Sequence, residues 1–191
     1  MKKYIVFLAL FVGFFTSYGQ DVLINSTNNG QTFTGCSRLI YDSGGNAGSY
    51  GNSQDYSVSF MSNNAALPGI TLQIVENIGI DAGDTLWIYD GDGSSPSQLF
   101  RGGPNNYNFF NASNGLIADD HFQMSILNTS HKITIRFKSN ATTTSTGFKI
   151  SLSCSRLCQS VFSKLDNALT NPQPDTNYIA LCPWDTAKIV A

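Results

Sequence analysis

The stretches DTLWIYDGDG (Asp84–Gly93), KITIRFKSN (Lys132–Asn140) and TGFKISLSC (Thr146–Cys154) follow one another behind a glycine-rich YDSGG (Tyr41–Gly45). In Thr85–Tyr89, Leu86 and Ile88 fall on one side of an extended chain while Trp87 and Tyr89 take the other, because side chains alternate along a strand. Ile133, Ile135 and Phe137 repeat the pattern, as do Tyr56, Val58 and Phe60, and Ile70, Leu72 and Ile74. Asp90-Gly-Asp-Gly93 reads as a sharp turn, since glycine tolerates positive φ and aspartate bonds to its own backbone. Short strands are also expected at Gln98–Arg101, Met124–Leu127 and Phe148–Leu152. Residues 102–115 read as a long loop in which Phe109 and Phe110 fold their rings back on the rim. Beyond the first twenty residues no window of eleven or more shows a helical apolar period. Many short strands separated by Gly/Asn turns indicate an all-β sandwich or jelly roll.

The first nineteen residues read as an export signal. Lys2 and Lys3 precede an apolar run, Tyr4–Phe15, too short to span a bilayer stably. Ser17 and Gly19 are small residues at the −3 and −1 positions of a cleavage site. The mature chain is then expected to begin at Gln20, secreted or at the cell surface, with no transmembrane segment. Losing Lys2 and Lys3 leaves 9 basic against 13 acidic residues, a net charge of −4. With the cations scattered, no long-range field draws nucleic acid or an anionic membrane.

Four cysteines, all in the mature part, are an even number in an exported chain. They allow three pairings, of which Cys36–Cys154 with Cys158–Cys182 is the most economical: the first pair brackets the sandwich and the second lies beyond it. Zinc held by Cys154, Cys158 and Cys182 lacks a second ligand pair and a nearby histidine.

Residues 20–35 read as a polar lead-in, and 36–154 as the sandwich. Residues 155–177 read as a linker, weakly helical or irregular around Val161, Leu165 and Leu169 and stiffened by Pro172 and Pro174. Residues 178–191 look like the opening strands of a second β-domain, so the chain is expected to be the N-terminal piece of a longer protein.

Taken in order, YDSGG, SYGNSQDYSVSF (Ser49–Phe60), ITLQ (Ile70–Gln73), GDTLWIYDG (Gly83–Gly91), ITIRFKSN and TGFKISLSC resemble a CUB domain. The similarity is to the single-bridge variety of large bacterial surface proteins. It implies a jelly-roll β-sandwich of two antiparallel sheets. YIALCPWDTAKIVA (Tyr178–Ala191) is similar to the start of a PKD-like or immunoglobulin-like module. The resemblance also implies a Ca²⁺ site, with Asp84 matching the family's aspartate, Asp81 standing one methylene short at its glutamate and Asn140 at its third carboxylate. Two carboxylates and an amide make a weaker cage than three carboxylates, since Ca²⁺ takes six to eight oxygens. Bare turn chemistry explains the same three residues. Glu76, on the preceding strand, reads as solvated.

Catalytic constellations are not apparent. Asp119-Asp120-His121, with the second histidine His131, has no nucleophile elbow or metal-binding helix beside it. Asp90 and Asp92 flank a turn rather than face each other as glycosidase carboxylates. Asn25, Asn111, Asn128 and Asn140 stand in N-glycosylation tripeptides, which matter only in a eukaryotic secretory route. Trp87, Tyr89 and Tyr107 are candidates for stacking on sugars. The reading is a non-enzymatic extracellular interaction or adhesion module for a protein or glycan ligand, with Ca²⁺ as its candidate cofactor. The alternative is an accessory targeting or carbohydrate-binding domain of a larger secreted hydrolase.

Overall fold

The structure, a computed structural model, describes residues 20–101 and 107–157 together with the backbone of 159–163 and 177–181. The expected signal, the remaining linker residues, Cys158, Cys182 and the segment after 181 lie outside the described residues, and with them the proposed Cys158–Cys182 bridge.

Nine strands build two facing sheets: β1 (Val22–Leu23), β2 (Thr32–Thr34), β3 (Ser37–Tyr41), β4 (Asp55–Met61), β5 (Gly69–Ile74), β6 (Thr85–Tyr89), β7 (His121–Gln123), β8 (Ile133–Lys138) and β9 (Lys149–Ser155). One sheet runs β1-β3-β9-β5-β7 and the other β2-β4-β8-β6. No α-helix occurs among the described residues, and no helix there is long and apolar enough to cross a membrane. The fold is an all-β sandwich of jelly-roll type, as the alternating strands require.

Register explains the core. Across the first sheet Ile40, Ile150 and Ile74 stand in one row, and Leu152, Leu72 and Phe122 in another. Across the second, Val58, Ile135 and Ile88 align, as do Tyr56, Phe137 and Leu86. Except for half-buried Tyr56, these side chains are buried and belong to one cluster fed by both sheets. A one-residue slip of any strand would turn its whole apolar set outward, so burial pins the register.

Four differences from the sequence reading have physical causes. The sheets are mixed rather than purely antiparallel, because β1 pairs parallel with β3 and β2 parallel with β4. The lead-in thereby supplies an edge strand to each sheet, with Val22 and Ile24 buried. Residues 98–101 do not form a strand: a 3-10 turn, Pro96–Gln98, ends in a single bridge between Leu99 and Tyr89. The strand expected at 124–127 sits earlier, at β7, because the backbone of 125–131 closes a turn through Asn128 N–H to Ser125 O and His131 N–H to Asn128 O. Finally, the segment read as weakly helical or irregular carries β10 (Gln159–Ser163), which pairs antiparallel with β11 (Asn177–Leu181). A strand this short has no periodicity of its own to betray it, and only its distant partner decides it.

Cys36 and Cys154 are bonded, with Cα atoms 4.6 Å apart and 118 positions apart in sequence. The bridge ties the start of β3 to the end of β9, next to it in the sheet. Phe110, in the long loop, is fully buried and bridges Leu86 through two 2.9 Å backbone hydrogen bonds. It thus packs on the rim as expected.

Candidate functional site

Asp81, Asp84 and Asn140 meet at one end of the sandwich, where the turn before β6 faces the loop after β8. Asp84 opens β6 and is fully buried. A buried carboxylate must have its lone pairs filled. The Tyr50 hydroxyl donates to Asp84 Oδ2 at 2.6 Å, and the Asn140 backbone N–H donates to Oδ1 at 2.7 Å. Tyr50 is itself buried, and its oxygen accepts the Asp81 N–H at 2.9 Å. Burial first, then the Asp84 hydrogen bond, pushes the Tyr50 phenol far above the usual range, so it remains a donor.

Asp81 is half-buried, and its Oδ1 accepts the Gly83 N–H at 3.0 Å, an aspartate turn around Ala82-Gly83. The Asn140 carbonyl oxygen is turned into its own loop. It accepts the N–H groups of Thr142 and Thr143 at 2.8 and 2.9 Å and both threonine hydroxyls at 3.2 Å. The amide nitrogen, not the oxygen, faces Gly83: a Cβ placed there would lie 2.7 Å from Asn140 Nδ2 and 3.4 Å from Asp81 Oδ1.

That geometry decides the fit to a cation. Ca²⁺ needs a shell of six to eight oxygens pointing at one place. Here each Asp84 oxygen accepts one protein donor, Asp81 Oδ1 accepts the Gly83 N–H, and the Asn140 oxygen accepts four donors of its own loop. Among the described residues no group of three His, Cys, Asp or Glu side chains is placed to hold a metal. The three residues converge, with the Asn140 oxygen pointing into its own loop rather than toward the two carboxylates. The spacing of acidic residues was legible in the sequence, whereas the direction of each oxygen was not. Tyr50 lies inside a quoted motif stretch, yet no sequence signal marked its hydroxyl as the centre of this corner.

The other candidates are structural. Asp90 accepts Ser125 N–H at 3.2 Å and Asn128 Nδ2 at 2.7 Å, bracing the 125–131 turn. Asp92 accepts from Ser94 and Gln98 within its own turn, and the Ser94 hydroxyl leads the contacts that draw its carboxyl down to about 2. Asp119 accepts Gln73 Nε2 and Asp120 accepts Ile117 N–H, while His121 Nδ1 lies 3.0 Å from the Asp119 carbonyl oxygen rather than from a carboxylate. Among the described residues no carboxylate–imidazole pair forms. Glu76 is exposed and pairs with Lys149 at 3.4 Å, on the rim of a polar hollow of about 60 Å³ between Tyr41, Asn46 and Thr146.

Trp87 does point outward, but Arg136 lies over its ring at 5.3 Å, and Arg136 is gripped by both Asp55 oxygens at 2.8 Å. Tyr89, expected to be exposed, is only 7% exposed, with the Gly93 turn lying against its ring. Tyr107 is 37% exposed. Of the glycosylation candidates, Asn111 and Asn128 are buried, and their amide nitrogens bind Ala82 O and Lys132 O.

No known protein-family profile matches the chain, and no curated protein matches it. Among solved structures it is similar to the MASP-1 CUB2 domain bound to Ca²⁺, at 18% identity and TM-score 0.46, over 66% of this chain and 99% of that one. It is also similar to the full extracellular region of zebrafish Gpr126/Adgrg6, at 10% identity and TM-score 0.45, over 70% of this chain. The chain spans only 16% of that second protein's length. These likenesses concern chain path, and the residue roles above rest on the geometry alone.

Proposed function

We propose that this chain is a non-catalytic extracellular interaction module, a CUB-like sandwich that binds a protein or glycan ligand at the cell surface or in a secreted assembly. One observation carries the reading: Asp90, Asp92, Asp119 and Asp120 are all spent on turns and loop braces, and His121 turns to a backbone carbonyl. None of these five side chains stands as an acid–base pair with another. The Cys36–Cys154 bridge supports an oxidising compartment, because such bonds persist outside the reducing cytosol.

A Ca²⁺-dependent version of this reading draws on the convergence of Asp81, Asp84 and Asn140, but their oxygen directions weigh against it. As an alternative, the module serves as the targeting or carbohydrate-binding domain of a larger secreted hydrolase. For that version Trp87 is a poor platform as it stands, since the pinned Arg136 already occupies ring surface.

The test takes residues 20–191 as a soluble protein. They are assayed against chromogenic esters and glycosides and, in parallel, for saturable binding to arrays of extracellular proteins and glycans. The reading expects binding without turnover. Turnover that disappears in His121→Ala would overturn it.

A further inference from the structure

We infer that the Asp81–Asp84–Asn140 corner is a proton-built lock that stands without a divalent cation, with the Tyr50 hydroxyl and the Asn140 amide doing what the ion would do. A cation in such a corner would pull carboxylates from separate loops together. Here one phenolic oxygen does that by accepting from the Asp81 backbone and donating to Asp84 Oδ2. The Asn140 N–H closes the other Asp84 oxygen.

The lock extends through backbone contacts that carry no charge. Ser53 N–H donates to Asn140 O at 2.6 Å, the Ser139 hydroxyl donates to Gly51 O at 2.7 Å, and Gln54 N–H donates to Ser139 Oγ at 3.0 Å. Asn111 Nδ2 donates to Ala82 O at 3.0 Å and brings in a fourth segment. Loops 49–54, 81–84, 111–114 and 139–143 are thereby fixed to one another.

Asn140 decides the electrostatics. Its Nδ2 lies beside Gly83, on the side where Asp81 Oδ1 also approaches, and donates to Thr143 Oγ1 at 2.8 Å, so position 140 brings a neutral amide to the corner rather than a second charge. An aspartate at 140 would put an oxygen there. Two carboxylates would then stand on the same side of Gly83, and their repulsion is relieved by protonation or by a bound cation.

Thermal melts of residues 20–191, in millimolar CaCl₂ and in EGTA, test the lock, with terbium luminescence as a second readout of ion binding. The wild-type chain should melt at the same temperature in both and give no saturable terbium signal. Asn140→Asp should melt several degrees lower in EGTA and recover in CaCl₂, because an ion that binds only the folded form stabilises it by mass action. Tyr50→Phe should lower the melting temperature equally with and without calcium. A calcium-dependent rise in the wild-type melt that is lost in Asp84→Asn would overturn the inference. So would a wild-type calcium response equal to that of Asn140→Asp. The lock is independent of which ligand the module takes, so a failed binding screen leaves these melts decisive.

Discussion

Asp42 fills the space that any side chain at position 147 would need. Its two carboxylate oxygens accept Gly44 N–H at 2.7 Å and Phe148 N–H at 3.0 Å, while Gly147 passes directly over it at φ +84°. A Cβ at 147 would overlap Asp42 Oδ2. Gly147 also exchanges two backbone hydrogen bonds with Gly79, so the loop cannot back away. The glycine-rich YDSGG is therefore one half of a clasp whose other half is the glycine before Phe148.

Gly147→Ala should cost about 2–4 kcal/mol, combining left-handed strain with overpacking of a site that cannot yield. A fall in the urea midpoint without a change in slope would show it. An unchanged midpoint would mean that Asp42 swings clear.

Removing the Cys36–Cys154 bond, by reduction or by Cys36→Ser with Cys154→Ser, should cost about 4–5 kcal/mol in the chain-entropy model for so long a loop. Urea titrations of the oxidised and reduced protein give the difference directly. Near-identical curves would show that the bridge adds nothing to the sandwich.

The Asp55 carboxyl is held below its usual value, chiefly by the hydrogen bonds from Arg136. A depressed carboxyl stabilises the fold above the unfolded value and loses that contribution as pH falls through the folded one. Stability should therefore decline below about pH 4, and Asp55→Asn should remove part of that decline. Both side chains are more than two-fifths exposed, so solvent limits the pair to at most about 1 kcal/mol at neutral pH.

Asn128 links Asp90 Oδ1 and Lys132 O through one buried amide nitrogen, and its own oxygen accepts the Ser130 hydroxyl at 2.7 Å. Asn128→Ala removes one donor from part-buried Asp90 Oδ1 and the donor to Lys132 O, and should cost about 1–3 kcal/mol, read from denaturant unfolding. For the same reason, protein expressed through a eukaryotic secretory route and purified folded should carry no glycan at Asn111 or Asn128. Peptide mass mapping checks this.

Much of the sandwich was written in local pattern. Period-two apolar residues placed β4, β5, β6 and β8, and the cysteines that bracket the motif series are the ones that pair. The carboxylate corner was half legible: residue types and rough position could be read, but not the direction of a single oxygen. Asp84 and Asn140 look like ligands in a string of letters. In three dimensions Asp84 is an acceptor for Tyr50 and Asn140, and Asn140 caps its own loop. Trp87 likewise reads as a free ring until its cross-strand neighbour Arg136 lies over it.

By itself the amino-acid order determined which faces are apolar, where turns break the strands and which cysteines bracket the domain, because alternation and turn chemistry act between near neighbours. Only the tertiary structure decided the parallel edge pairs, the β10–β11 pairing and the partners of each buried polar atom. Those depend on groups as far apart in the chain as Asp42 and Phe148, 106 positions from each other. A hydrogen bond is made or lost over a few tenths of an ångström, a distance that no local pattern encodes.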